Sequence, residues 1–274
     1  MNILYLAHRI PYPPNKGDKI RSFRQLEYLA KHHRVWCACF VDRSDDLRHV
    51  ETLREHCADV VAIRLRRIPA LCRALSGLVR GATVTESFYR SREMTRALDR
   101  WIDSTRFDAV VAFSSSMATL ALGVPARRRV LDCCDLDSRK WQDYAGSRRG
   151  LLQRLYHTEG MRLARREVQW LDSFDATIVI TEHEAEPLLN ATGSHRLHVV
   201  RNGVTLEEET VDTAYRTVTA PVVGFIGAMD YRPNVDAVVW FVKHCWPGVR
   251  AAVPDAVFRI VGRSPVRVVR RLAR

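Results

Sequence analysis

None of the seven cysteines stands in a C-x-x-C pair, so the paired spacings that a structural metal site needs are missing. Cys37 and Cys39 fall on one face of a strand, Cys133 and Cys134 on opposite faces, and all four read as buried reduced thiols. No metal ligand set is expected. No apolar run approaches the ~20 residues of a membrane span. The N-terminus, MNILYLAHRI, has neither a basic leader nor a cleavage site, which excludes a signal peptide and predicts a cytoplasmic protein. No G-x-G-x-x-G follows either leading strand, which argues against an epimerase- or dehydrogenase-like enzyme. Solenoid-length repeats and low-complexity tracts are absent as well.

The 274 residues suffice for one large or two modest domains, and 47% hydrophobic with 27% charged residues is ordinary for a folded protein. The outlier is a net charge of +12. It is carried almost entirely by arginine, concentrated in 64–100, 127–129, 148–166 and 263–274. Phosphate-bearing substrates, anionic lipid head groups and nucleic acid would all suit such a surface. Nucleic acid is the weakest of the three, because the clusters are not interleaved with exposed aromatics and no recognition motif is present. A non-catalytic basic protein that binds nucleic acid or a partner subunit is the alternative function.

Alternating strands and helices predict an α/β protein with doubly wound parallel sheets. Strands are expected at 2–7, 35–41, 60–65, 109–113, 129–133, 176–181 and 198–200. Between them lie an amphipathic helix over 20–32, a helix over 47–57 and a long basic helix over 151–171. The basic region 68–100 is helical with interruptions near Gly77 and Gly81. It reads either as a solvated cover for the sheet or as an interfacial helix on an anionic bilayer. Residues 205–220 are polar and without periodicity, as in a linker. A second domain then begins at 221 with strand, tight loop, helix and strand: 222–226, a stripe through Val235, Val238, Val239 and Val242, and 257–261. The organisation is therefore 1–204, a linker over 205–220, and 221–274.

Ligands of such sheets sit beyond the carboxyl ends of the strands, so the candidates are the residues that follow each strand. After the first come Gly17, Lys19 and Arg21, a backbone approach and two cations that suit a phosphate, or a plain turn. After the fifth comes LDCCDLDSRKW, in which Asp135 or Asp137 could orient or deprotonate a hydroxyl nucleophile. The same residues could instead cap a helix starting near Arg139, through Asp137 or Ser138. Asn202-Gly203 reads as a tight turn. In the second domain, Gly227 and the loop to Asn234 lead into a helix N-terminus that would favour an anion, with Arg232 as the nearby cation.

Together, ILYLAHRIPYPPNKGDKIRSF, LDCCDLDSRKW, HVVRNGV, GFIGAMDYRPNVDAVVWF and PDAVFRIVGRSP resemble the GT-B glycosyltransferases of glycosyltransferase family 4. The branch most similar is that tied to exosortase (PEP-CTERM) exopolysaccharide systems. The resemblance implies two Rossmann-type domains and transfer of a sugar from a nucleotide-diphosphate sugar to a glycan or lipid-linked acceptor. It further implies retention of configuration, no required metal and no cofactor beyond the co-substrate. The first domain would take the acceptor, near an anionic membrane surface at the cytoplasmic face, and the second most of the donor. By position, Gly17 falls where the family places a glycine loop near the donor phosphates. Asp135 falls near the family's His-Asp pair, with Cys134 in place of the histidine. The family's acidic donor-clamping motif would lie beyond 274, so the second domain is expected to be truncated.

Overall fold

The computed structural model describes residues 1–193, 195–203 and 220–272. The chain divides into two compact units, Met1–Val204 and Thr205–Arg274. The linker expected over 205–220 falls, but for its last residue, outside the described residues.

The first unit opens with β1 (Asn2–Ala7), α1 (Gly17–His32), β2 (Arg34–Val41), a 3₁₀ turn (Ser44–His49), α2 (Val50–Arg54) and β3 (Asp59–Arg64). Three helices follow, α3 (Arg67–Val79), α4 (Val84–Tyr89) and α5 (Arg92–Ser104), before β4 (Phe107–Phe113). A 3₁₀ turn (Ser115–Met117), α6 (Ala118–Leu122), β5 (Ala126–Cys134), α7 (Asp137–Gly146) and α8 (Leu151–Ser173) come next. The unit closes with β6 (Ala176–Val179), α9 (Glu182–Thr192) and β7 (Leu197–Val199). Its seven strands form one parallel sheet in the order β3-β2-β1-β4-β5-β6-β7. This is the doubly wound, Rossmann-like α/β arrangement that the alternation of elements leads one to expect.

Strands in such a sheet are apolar on both faces because helices cover both. Along β1 and β2 the side chains alternate between two cores. Leu4, Leu6, Trp36, Ala38 and Phe40 meet α5, α6, α8 and α9 on one side. Ile3, Tyr5, Ala7, Val35, Cys37, Cys39 and Val41 meet Phe23 and Leu26 of α1 and Leu53 of α2 on the other. Cys133 and Cys134 divide between the two layers in the same way.

Local pattern fails at two places. The helix expected over 47–57 splits into the 3₁₀ turn and α2, and Gly77 lies inside α3 instead of interrupting it. A glycine is required there by packing: a Cβ would lie 1.9 Å from Ser87 Oγ of α4. The break comes after Val79, at Gly81, whose φ of 80° is in the left-handed region.

Capping also departs from expectation. Neither Asp137 nor Ser138 caps α7; its N-cap position is Leu136, without a side-chain acceptor. Glu167 of α8 does this work instead, accepting from the Ser138 amide at 3.0 Å and from the Ser138 hydroxyl. Two turns earlier on α8, Glu159 accepts from the amides of Val84 and Thr85 at 2.7 and 2.9 Å, at the N-terminus of α4. Both glutamates are buried. One helix thus supplies the acceptors for the N-termini of two others, satisfying amides that would otherwise be orphaned.

In the second unit, β8 (Val222–Ile226) and β9 (Val257–Val261) pair in parallel around α10 (Arg232–His244), α11 (Trp246–Ala252) and α12 (Arg267–Arg271). Met229, Val238 and Val269 form its small core. Gly227 and Gly262 end the two strands with their backbones in contact: a Cβ on Gly262 would lie 1.7 Å from the Gly227 carbonyl oxygen. Gly262→Ala must therefore part the strand ends, and a cost of about 1–3 kcal/mol is expected. Gly224→Ala is the control, since nothing lies within 4 Å of a Cβ there. Urea denaturation of the two variants should separate them by that amount.

Candidate functional site

In the larger sheet β1 and β4 are neighbours, although the chain visits β2 and β3 between them. Loops leaving their carboxyl ends run apart, and a crevice opens at this switch point. His8 and Arg9 follow β1 directly, and Ser115 follows β4 after Ser114. The first turn of α1 adds Asp18, the end of β2 adds Asp42, the start of α7 adds Asp137, and the end of α4 adds Tyr89.

The groups are held in a definite order. Arg9 bridges two carboxylates, donating to Asp18 through Nη1 and to Asp42 through Nε at 2.7 Å. The His8 ring stacks on Phe113 at 6.0 Å and meets the edge of Tyr89 at 6.2 Å, with Nε2 3.7 Å from Asp18 Oδ2. Ser115 donates to Asp137 Oδ2, and Lys140 Nζ lies 3.1 Å from the other oxygen, Oδ1. Ser114 sits at φ 80°, its hydroxyl 2.9 Å from that of Ser116, and Cys134 at φ 57°. Non-glycine residues in the left-handed region carry strain. Among the described residues there are three, and the third, Ser264, follows β9. All three lie at or just beyond the carboxyl end of a strand.

Burial sets the protonation states. Burial, seconded by the Arg9 charge, lowers the pKa of His8 despite Asp18, Asp137 and Asp42, so the ring is neutral near pH 7. For Asp18, burial works upward but Arg9, His8 and the Lys19 amide outweigh it and hold the carboxyl below its usual range. Burial and then Asp42 push the Tyr89 phenol up to about 12. The crevice therefore presents a neutral imidazole, an ionised Asp18 and an arginine already paired twice.

A second cluster lies beneath it. Asp132, at 1% exposure, accepts from Arg21 Nε at 2.9 Å, from Gln25 Nε2, and from the Cys134 amide at 2.9 Å. Arg21 also donates to Asn202 Oδ1 at 2.9 Å. Gln25 in turn accepts from Tyr5 at 3.0 Å.

The sequence candidates are thus distributed unevenly. Asp137 stands in the crevice, while Asp135 is exposed. Arg21 and Asn202 meet, but with the Arg21 charge already on Asp132. Lys19 is buried with its ammonium 3.1 Å from Asp46. Gly17 is exposed with open space where a Cβ would sit, so packing does not demand a glycine. Asn202 and Gly203 lie in irregular chain after β7. In the second unit, Asn234 Nδ2 donates to the Ala228 carbonyl at 3.0 Å and lies beside Gly227, while Arg232 Nε is 3.3 Å from Asp236. The first turn of α10 has no acidic residue, unlike that of α1 with Asp18. Sequence reasoning missed His8, Arg9, Asp42, Ser115 and Tyr89. The signal was positional: His8 comes directly after β1 and Ser115 two residues after β4, strands that only the topology makes neighbours. Among the described residues, no group of three or more His, Cys, Asp or Glu could hold a metal ion.

No protein-family model matches the chain, and no curated protein matches it. Among solved structures it is similar to LpCGTa in complex with UDP, at a TM-score of 0.44 and 13% identity, over 95% of this chain and 70% of that one. It is also similar to TcCGT1 in complex with UDP, at a TM-score of 0.39 and 14% identity, over 83% of this chain and 57% of that one. The chemistry that follows rests on this chain's own side chains.

Proposed function

We propose that the chain is a glycosyltransferase that moves a sugar from a nucleotide-diphosphate sugar to the hydroxyl of a glycan or lipid-linked acceptor, in the cytoplasm and in polysaccharide assembly. The observation that carries the reading is the switch-point crevice, where His8, Asp137 and Ser115 converge beside the strained Ser114. A neutral imidazole accepts a proton from a hydroxyl, and Asp18 at 3.7 Å meets the charge that develops. Asp137, fixed by Ser115 and Lys140, is an acceptor for sugar hydroxyls. Asp135, exposed after β5, is the second proposed carboxylate.

For the donor we favour the second unit. Phosphate is stabilised at a helix N-terminus, and α10 offers one without a competing carboxylate in its first turn, next to Gly227, Arg232 and Asn234. The Gly17 end of α1 is less suited, because Asp18 already places a negative charge in that turn. Retention, metal independence and the exopolysaccharide role rest on the sequence resemblance alone.

The test is a thermal-shift series with UDP-, GDP-, ADP- and dTDP-sugars and the free nucleotides. A ligand that binds only the folded state stabilises it by about 2.7 kcal/mol at a hundredfold excess over Kd, which raises Tm by several degrees. One nucleotide should stand out. A cooperative melt unmoved by every nucleotide would end the donor reading for this chain.

A further inference from the structure

Helix α7 and the first third of α8 form a hairpin that leaves an aromatic face open beside the crevice. In α8 the buried residues begin at Glu159, and none of residues 151–158 is buried. Helix α7 leaves the carboxyl end of β5 and runs back along α8, with Ser138 against Gly160 and Trp141 against Tyr156. Asp137, Trp141 and Tyr144 stand at i, i+4 and i+7 of α7, on one face about 10 Å long. That face begins in the crevice, where Asp137 accepts from Ser115.

Tyr156 completes the face. Its ring centroid lies 5.2 Å from that of Trp141 and 6.3 Å from that of Tyr144, with the planes tilted by 62° and 56°. In edge contacts of this kind a ring spends its rim on its neighbour, so the three hold one another in place while ring faces stay free. All three rings are half-buried, and among the described residues neither phenol nor the indole N–H has a hydrogen-bond partner. Fixed rings with unspent polar tips suit a polyhydroxylated ligand. The C–H faces of a sugar stack on the rings, and its hydroxyls meet the tips.

The charge setting narrows the ligand further. Residues 144–158 contain Arg148, Arg149 and Arg154, all exposed, and no acid. Among the described residues none of the three stands in an ion pair. The planar fork of an arginine matches a carboxylate.

We propose that this hairpin binds an acidic glycan, with successive sugar rings on Trp141, Tyr144 and Tyr156, carboxylates on Arg148, Arg149 and Arg154, and one end directed to Asp137. As the class of acceptor, the acidic glycan rests on the transfer reading of the crevice; as a ligand of the hairpin it does not. Single-stranded nucleic acid also uses rings and arginines. It carries a phosphate at every nucleotide, however, and would bring that charge onto Asp137, Asp18 and Asp42 where the face enters the crevice. A glycan can end there in neutral hydroxyls.

Calorimetric titration of the full chain, with no nucleotide sugar present, tests the site apart from the transfer. The galacturonic acid trimer should bind at least about tenfold more tightly than the monomer and than the neutral galactose trimer, and should weaken in salt. Arg148→Gln with Arg149→Gln should weaken the acidic trimer about fivefold and leave the neutral one unchanged. Tyr144→Ala should weaken both about fivefold, and Tyr144→Phe, which keeps the ring, should restore most of the binding. Both arginines are exposed, so the melting temperature of their variant should not move and serves as the folding check. Equal affinity for acidic and neutral trimers, unchanged binding by Tyr144→Ala, tighter binding of oligothymidylate than of the acidic trimer, or no binding at all would each overturn the proposal. Thermal shifts with nucleotides are independent of every one of these outcomes, so a failure here and a failure of the transfer reading are told apart.

Discussion

Asp132→Asn is expected to destabilise the larger unit by about 3–5 kcal/mol, the cost of leaving one buried charge without its partner. The carboxylate is 1% exposed, and the Arg21 side chain that it pairs with is 9% exposed, so water replaces neither. Asp132 also receives Gln25 and the Cys134 amide, and Gln25 receives Tyr5 of β1. One acid thus fastens β5, α1 and β1 together beneath the crevice. An amide of the same shape keeps an oxygen for one donor but turns its NH₂ toward others and abandons the Arg21 charge. Arg21→Met should be costly for the converse reason. The double variant removes both charges, and its cost should fall well short of the sum of the two, by at least about 1–3 kcal/mol of coupling. Urea denaturation followed by tryptophan fluorescence gives all three values. Additive costs would show that Asp132 and Arg21 do not act as a pair.

How far the sequence reveals this network depends on the range of the interaction. Strands β1, β8 and β9 begin and end where the apolar runs and their bounding glycine or polar residues place them. A strand buried on both faces leaves an unbroken apolar run, which is a local signal. The three aspartates of LDCCDLDSRKW, Asp132 in β5 with Asp135 and Asp137 beyond it, also attract notice, since a buried acid needs a partner. Their separate roles were not legible, because Arg21 and Gln25 come from more than a hundred residues away. Lys19 looked available for phosphate by its place in a glycine loop, yet folding turns it onto Asp46. His8 drew no attention because its neighbours, Phe113 and Tyr89, come from β4 and α4. For α3 the apolar period was visible, but a period fixes only that the residues share a face. Which way the face points was decided by Ala70, Ala74 and Gly77, small enough to sit against α4.

Raising the pH from 5 to 8 should cost the native protein on the order of 3 kcal/mol that Glu167→Gln does not lose. Burial lifts the Glu167 carboxyl from its ordinary 4.5 to about 7, with Asp137 and Glu184 adding to it and the Ser138 hydrogen bonds opposing. The folded state therefore holds this proton more tightly than the unfolded chain does. The stabilisation is complete below about pH 4.5, where both states are protonated, and is lost as pH rises through about 7. Glutamine stays neutral throughout. Its oxygen can still accept from the Ser138 amide and its nitrogen can donate to the Ser138 hydroxyl, so the cap on α7 survives. Other groups titrate in both proteins, among them His8 and Asp18, and cancel in the difference. Urea denaturation of both proteins at several pH values measures that difference directly. A gap that stays constant from pH 5 to 8 would mean that Glu167 is ionised throughout. The cap of α7 would then be a plain carboxylate, and Asp137, one residue before Ser138, would feel its charge at every pH at which the crevice works.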